Sequence, residues 1–333
     1  VSTVAIVGAG ATGLRAARQL VRRGAVSRIV LVDDGDGVAT TGATSLGERV
    51  EAGLASEVPA DADVVVLATR ANSHVELAQD CVACGQHVVS IGDSINDVAG
   101  LLDLDDHARS HGVKVVVGAG LMPGLSDILA SHGRAWFDEV REVHVSKFGT
   151  GGPDCARQHH VALAGLCFDW RNGAWSRRPG GSGRELAWFP APVEAADCYR
   201  AALADPLLLV RMHPNLERIT SRMAATRRDR LSMHLPMLRR PHPEGLLGAV
   251  RVELRGVANG GQLDLVLGCA ERPAVAAGAV AAGAVVELLA ASASDTDTGA
   301  RGLAEWFEPL PFLRELKIRG LRPEIFVGAS ETH

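Results

Sequence analysis

The chain has 333 residues, of which 47% are hydrophobic and 22% charged, with a formal net charge of −5. That length allows two domains of ordinary size, each with its own core, and the composition excludes a disordered polymer. So mild a charge gives no reason to expect nucleic acid or an anionic membrane as partner.

Residues 4–7 form a short apolar run that reads as a strand, and residues 11–23 read as a helix. No charged stretch precedes that strand, so no export signal is read there and a cytoplasmic location is expected. Further strands are expected at 29–32, 64–68, 88–91 and 113–117, and helices at 73–84 and 97–110. Aliphatic runs divided by helices predict a parallel sheet covered on both faces. The six cysteines match neither a small secreted disulfide framework nor a pair of zinc knuckles. Cys81 and Cys84 lie one helical turn apart, which reads as a helix face rather than a redox pair.

The first strand-to-helix turn is Gly8-Ala9-Gly10-Ala11-Thr12-Gly13, a GxGxxG spacing in the context that motif requires. Gly8 permits the tight turn, Gly10 clears space for a pyrophosphate, and Gly13 lets helix and strand pack closely. The helix start, with Ala11 and Thr12, then offers N–H groups to phosphate. Asp33 ends the second strand, 20 residues beyond Gly13, where a carboxylate accepts ribose hydroxyls and repels a 2′-phosphate. Asp34 adds charge of the same sign, so NAD is the expected cofactor, with NADP as the alternative. The loop 35–44 reads as long and glycine-rich. At later strand ends, Ala68-Thr69-Arg70 and Gly92 are candidate cofactor contacts.

Residues 113–130 contain Gly118-Ala119-Gly120-Leu121-Met122-Pro123-Gly124-Leu125-Ser126-Asp127. This resembles the strand–loop–helix of the saccharopine dehydrogenase-like superfamily, whose GLxPG turn leaves a Rossmann nucleotide domain and enters a second domain. The resemblance covers residues 1–132 and returns at 251–282. It departs at Met122, where amino-acid-forming members commonly carry an acid; Asp127 is the candidate to take over that role, or else caps its helix. Sugar-type oxidoreductases share the early strand order, but the stretch Gly85–Asp93 lacks their lysine.

Beyond residue 140 a strand leads to Lys147 and then to Phe148-Gly149-Thr150-Gly151-Gly152-Pro153, a loop read as flexible enough to close over a ligand. A helix is expected from Asp154, as N-cap, to Leu166. It carries His159 and His160, which point in different directions, so no metal site is read there. Reducing an imine or ketone needs a proton as well as a hydride, and Lys147 or His159 can supply it. Arg157 and Arg222, with His160, are candidates for holding a substrate carboxylate. Strands at 250–255 and 263–267 flank Asn259-Gly260-Gly261, a hairpin signal. Residues 274–291 approach membrane-spanning length, yet they are Ala/Gly-rich and carry Glu287, so a closely packed internal helix is the reading.

The expected fold is α/β, with a Rossmann domain at 1–120 and a second α+β domain at 121–270 whose sheet is mixed or antiparallel. By resemblance, helix 271–291 packs back onto the first domain and the second serves homodimerisation; 292–333 reads as linker and tail. The expected function is NAD(P)-dependent hydride transfer at a C=N or C=O carbon of a small amino-acid-like substrate, with no nucleic acid or membrane partner. The alternatives are a homoserine-dehydrogenase-like alcohol or aldehyde oxidoreductase, and a non-catalytic dinucleotide sensor or scaffold.

Overall fold

Aliphatic strands buried on both faces need helices on both sides, and the first half of the chain is built that way. The computed structural model describes residues 2–24, 26–35, 37–54, 58–213, 215–237, 240–290 and 296–326. The chain divides into two compact units, Val1–Gly120 with Ala274–Phe307, and Leu121–Pro273 with Glu308–His333.

The first unit holds β1 (Thr3–Val7), α1 (Ala11–Arg23), β2 (Arg28–Val32), α2 (Val38–Leu46), β3 (Val50–Gly53), β4 (Val64–Leu67), α3 (His74–Ala83), β5 (His87–Ser90), α4 (Ile95–Leu102), α5 (Asp105–Ser110) and β6 (Lys114–Val117). Its parallel sheet runs in the order Gly299–Gly302, β6, β5, β4, β1, β2, β3. The order reverses direction at β1, with β2 on one side and β4 on the other, so a crevice opens at their carboxyl ends. Val4, Ala5, Ile6 and all of β4 are fully buried, each Val, Leu or Ile contributing roughly 1.5–3 kcal/mol. The supposed loop 35–44 instead runs into α2, and β3 follows. The helix expected at 97–110 is two helices, with Ser94 Oγ accepting from Asp97 N at 3.0 Å to cap the first.

The second unit begins with α6 (Leu125–Gly133) and continues through β7 (Glu139–Phe148), α7 (Pro153–Ala164), β8 (Leu166–Arg171), β9 (Ala174–Pro179), β10 (Glu185–Trp188), β11 (Ala195–Arg200), α8 (Asp205–Met212), β12 (Arg218–Ala224), α9 (Arg227–Ser232), β13 (Gly248–Ala258) and β14 (Gly261–Glu271). Its mixed sheet is ordered β10, β11, β12, β7, β13, β14, Glu324–Ile325, with β8 on β12 and β9 on β8. Among the described residues of this sheet, β12 and β7 are parallel neighbours and the other pairs are antiparallel. Asn259 and Gly260 both have positive φ, 50° and 76°, as the two-residue hairpin turn between β13 and β14 requires.

The chain then returns to the first unit. Of α10 (Pro273–Ala290), residues from Ala274 onward belong there. This helix is long and apolar enough to cross a membrane by length and composition, yet two thirds of it, 67%, is buried inside the protein. Its small side chains explain the packing: a Cβ at Gly278 would lie 2.7 Å from Arg15 Cβ and 2.8 Å from Ala16 N. The segment read as linker and tail carries β15 (Gly299–Gly302), α11 (Leu303–Trp306), α12 (Pro309–Ile318) and β16 (Glu324–Ile325). β15 extends the parallel sheet beside β6, with Ala300 N donating to Asp105 Oδ1 at 2.8 Å. Residues 291–295 and 327–333 lie outside the described residues.

Candidate active site

The glycine loop shows why each glycine is there. A Cβ at Gly8 (φ +105°) would fall 2.4 Å from Ala68 O, and one at Gly13 would fall 1.8 Å from Gly8 O. A Cβ at Gly10 would meet nothing within 4 Å. Gly8 and Gly13 therefore permit close backbone approach, whereas Gly10 fronts open space at the start of α1. No side chain caps that helix at its N-cap, Gly10, and a helix start favours an anionic group. Ala11 and Thr12 form its first turn. Asp33, half-buried, accepts from Ala9 N at 2.7 Å and from Gly35 N at 2.8 Å. Each carboxylate oxygen accepts more than one hydrogen bond, so this anchoring leaves capacity for ribose hydroxyls. Asp34 is exposed. These residues fit a dinucleotide.

Ala68, Thr69 and Arg70 follow β4, and Gly92 follows β5. Behind both loops lies His74, fully buried. Its Nε2 is 3.3 Å from Thr69 O and its Nδ1 is 2.9 Å from Ser90 Oγ. A carbonyl only accepts, so Nε2 carries the proton and Nδ1 accepts from the Ser90 hydroxyl. Ser90 Oγ in turn accepts from Gly92 N at 3.1 Å. Burial pushes the His74 pKa down, against the pull of Asp97, which agrees with a neutral ring. Asp97 completes the network: it accepts from Asn72 N at 2.6 Å, from His74 N at 3.1 Å and from Ser94 Oγ at 2.6 Å. Reading the sequence passed over His74 because a histidine in the first turn of a helix carries no signal of its own.

In the second unit Lys147 and His159, singled out separately, meet: Lys147 Nζ lies 2.5 Å from His159 Nε2. Both side chains are buried. The contact needs one donor and one acceptor, so a single proton lies between the two nitrogens. Cys155, one turn before His159 on α7, places Sγ 3.5 Å from the same Nε2; it was not among the expected site residues. The three groups lie together where β7 ends and α7 begins. The loop between them is packed rather than open, since a Cβ at Gly149 would lie 2.9 Å from Gly248 Cα, and one at Gly245 2.0 Å from Thr150 O. Helix α7 starts at Pro153 with Gly152 as N-cap, so Asp154 sits inside it.

Four expected site residues have other partners. Asp127 is buried and accepts from Gly124 N at 3.1 Å, closing the first turn of α6 as an acidic cap. Arg222 is buried, with its guanidinium 3.0 Å from Glu185, 2.7 Å from Thr220 Oγ1 and 3.3 Å from Gly183 O. That network, within the mixed sheet, holds the guanidinium that was assigned to a substrate carboxylate, and burial lowers its pKa. Arg157 is exposed and pairs with Asp154 in the same helical turn. His160 places Nε2 2.7 Å from Leu235 O, tying α7 to the segment after α9.

Residues 3–94 match the family model described as NADP oxidoreductase, coenzyme F420-dependent. The fold is shared with solved dehydrogenases. A DAP dehydrogenase from C. glutamicum in complex with DAP is 15% identical, with a TM-score of 0.51 over 96% of this chain and 99% of that one. An engineered D-amino acid dehydrogenase bound to NADP+ is 15% identical, with a TM-score of 0.50 over 91% and 93%. The sheet order, the glycine loop and the family match define the class. The protein is an NAD(P)-dependent oxidoreductase.

Proposed function

We propose that this oxidoreductase prefers NAD(H) and acts on the C=N or C=O carbon of a small amino-acid-like substrate, in the manner of the saccharopine dehydrogenase-like enzymes. The observation that carries the reading is the pairing of an open Gly10 with an anchored Asp33 carboxylate. Gly10 and the start of α1 receive a pyrophosphate. Asp33 binds ribose hydroxyls, and with Asp34 it disfavours a 2′-phosphate. The bound nicotinamide supplies or accepts the hydride.

The remaining chemistry belongs to side chains. Carbonyl or imine reduction leaves a heteroatom that must gain a proton, and the Lys147–His159 pair holds one between two nitrogens. In the oxidative direction the same pair accepts it. Both residues are withdrawn from bulk water, so the proton comes from a fixed group rather than from solvent. Support for an amine or keto-acid substrate comes from the resemblance at residues 1–132 and from the amino-acid dehydrogenases that share the fold.

The test is a fluorescence titration with NADH and NADPH, wild type against Asp33→Ala, followed by NAD+ reduction assays with panels of amino acids and hydroxy acids. NADH should bind several-fold tighter than NADPH, and Asp33→Ala should erase that preference. Lys147→Met should lose turnover on the active panel while keeping NADH affinity. Turnover of hydroxy compounds alone would replace the amine reading with the alcohol one, and failure to bind either dinucleotide would end both.

A further inference from the structure

We infer that His74 is a positioning residue that fixes the two loops beneath the nicotinamide half of the cofactor. The inference rests on the dinucleotide reading above and adds to it the group that sets cofactor geometry.

Sheet order decides which loops those are. The ribose contact, Asp33, ends β2, on one side of β1, and the pyrophosphate position lies at Gly10, directly after β1. A dinucleotide crossing the crevice therefore puts its other half over the loops of β4 and β5, on the far side of β1. The loop after β4 adjoins the glycine turn, as the approach of Gly8 to Ala68 O shows.

His74 bridges those two loops with both ring nitrogens. Nε2–H donates to Thr69 O after β4, and Nδ1 accepts from Ser90, whose oxygen also receives the Gly92 amide after β5. A Cβ at Gly92 would lie 3.2 Å from Ser90 Oγ and 3.3 Å from His74 Nδ1, so the second loop rests on the ring itself. Asp97 holds the same region from below and fixes Asn72, which adopts φ +67°. Among the described residues the ring's hydrogen bonds reach Thr69 and Ser90, not the glycine loop or Asp33. Its effect should fall on the nicotinamide end alone.

That asymmetry supplies the experiment. ADP-ribose carries the adenosine, pyrophosphate and second ribose but lacks nicotinamide. Binding of NADH and of ADP-ribose would be measured in wild type, His74→Leu, Ser90→Ala and the double variant. His74→Leu should weaken NADH about five- to tenfold, the loss expected for one buried hydrogen-bonded link, and leave ADP-ribose unchanged. Ser90→Ala should move the same ratio in the same direction. The double variant should be no worse than the stronger single one, because both cut one chain of bonds. Equal weakening of both ligands, or no change in the ratio, overturns the inference. If His74→Leu fails to bind ADP-ribose, the leucine variant has lost the fold and Ser90→Ala decides alone. Wild-type protein that binds neither ligand sinks the dinucleotide reading itself, which is a separate outcome.

Discussion

A side chain at position 10 would extend into open space, whereas one at position 13 would collide with the carbonyl of Gly8 at 1.8 Å. The two glycines therefore fail differently when replaced. Gly10 has φ −73°, which valine adopts without strain, but valine is a poorer N-cap than glycine, so Gly10→Val should cost no more than about 1 kcal/mol. It should nevertheless weaken NADH at least roughly tenfold by filling the phosphate position. Gly13→Val cannot be housed without moving α1 off β1, and should lower the thermal midpoint as well as affinity. Calorimetry and NADH titration on both variants check the contrast; a Gly10→Val protein that binds NADH normally would remove the phosphate from that position. At this scale the sequence was informative wherever a residue type has one main use. The glycines and Asp33 could be placed before any coordinates. Lys147 and His159 could be named but not joined, because their contact depends on how α7 packs against β7. Arg222 and Asp127 show the converse. Each is of a type suited to substrate; Arg222 is held by Glu185, a partner that sequence spacing does not reveal, whereas Asp127 caps its own helix, the other use its place in the first turn allows.

Among the elements, α10 carries the clearest consequence of small residues. Gly278 brings its backbone against Arg15 and Ala16 of α1, the helix whose first turn we propose receives the pyrophosphate. Gly278→Leu would force the two helices apart and should cost about 1–3 kcal/mol by overpacking, read as a lower urea midpoint. NADH affinity should fall with it, since α1 moves; an unchanged midpoint would mean that the two helices are not in contact. The Ala/Gly composition made a closely packed internal helix legible, though not its contact with α1, just as the Asn-Gly-Gly turn made the β13–β14 hairpin legible. β3 and β15 were not. Val50-Glu51-Ala52-Gly53 and Gly299-Ala300-Arg301-Gly302 have little β propensity, and each forms a strand by adding to a sheet edge that already exists. Pairing of that kind is tertiary, and no window along the chain contains it.

Across the whole molecule, buried titratable groups set how stability depends on pH. Burial, with Arg134 nearby, pushes His213 down to about 4, and burial lowers His74 as well. Above the ordinary histidine value of about 6.5 these rings are neutral whether folded or unfolded, and they contribute no pH dependence. Below it the unfolded chain binds protons that the native protein refuses, so stability falls as pH drops. For His213 the loss accumulates down to about pH 4 and amounts to roughly 2–3 kcal/mol. Carboxylates act later. Burial raises Glu253, but Arg251 and Arg255, each 2.6 Å away, hold its carboxyl below the usual range. Glu142 is lowered by its bond to His144. Their stabilisation is complete above the unfolded carboxylate value of about 4.3 and disappears as pH falls through the lower native one. The acid limb should thus begin near pH 6.5, from the histidines, and steepen below about 4.3, from the carboxylates. Urea midpoints at pH 8, 6.5, 5 and 4 should decline slightly over the first interval and more steeply after it, and His213→Asn should flatten the decline between 6.5 and 4. If wild type and variant keep the same slope there, His213 is not the group that titrates, and the early acid loss must come from His74 or from another buried ring.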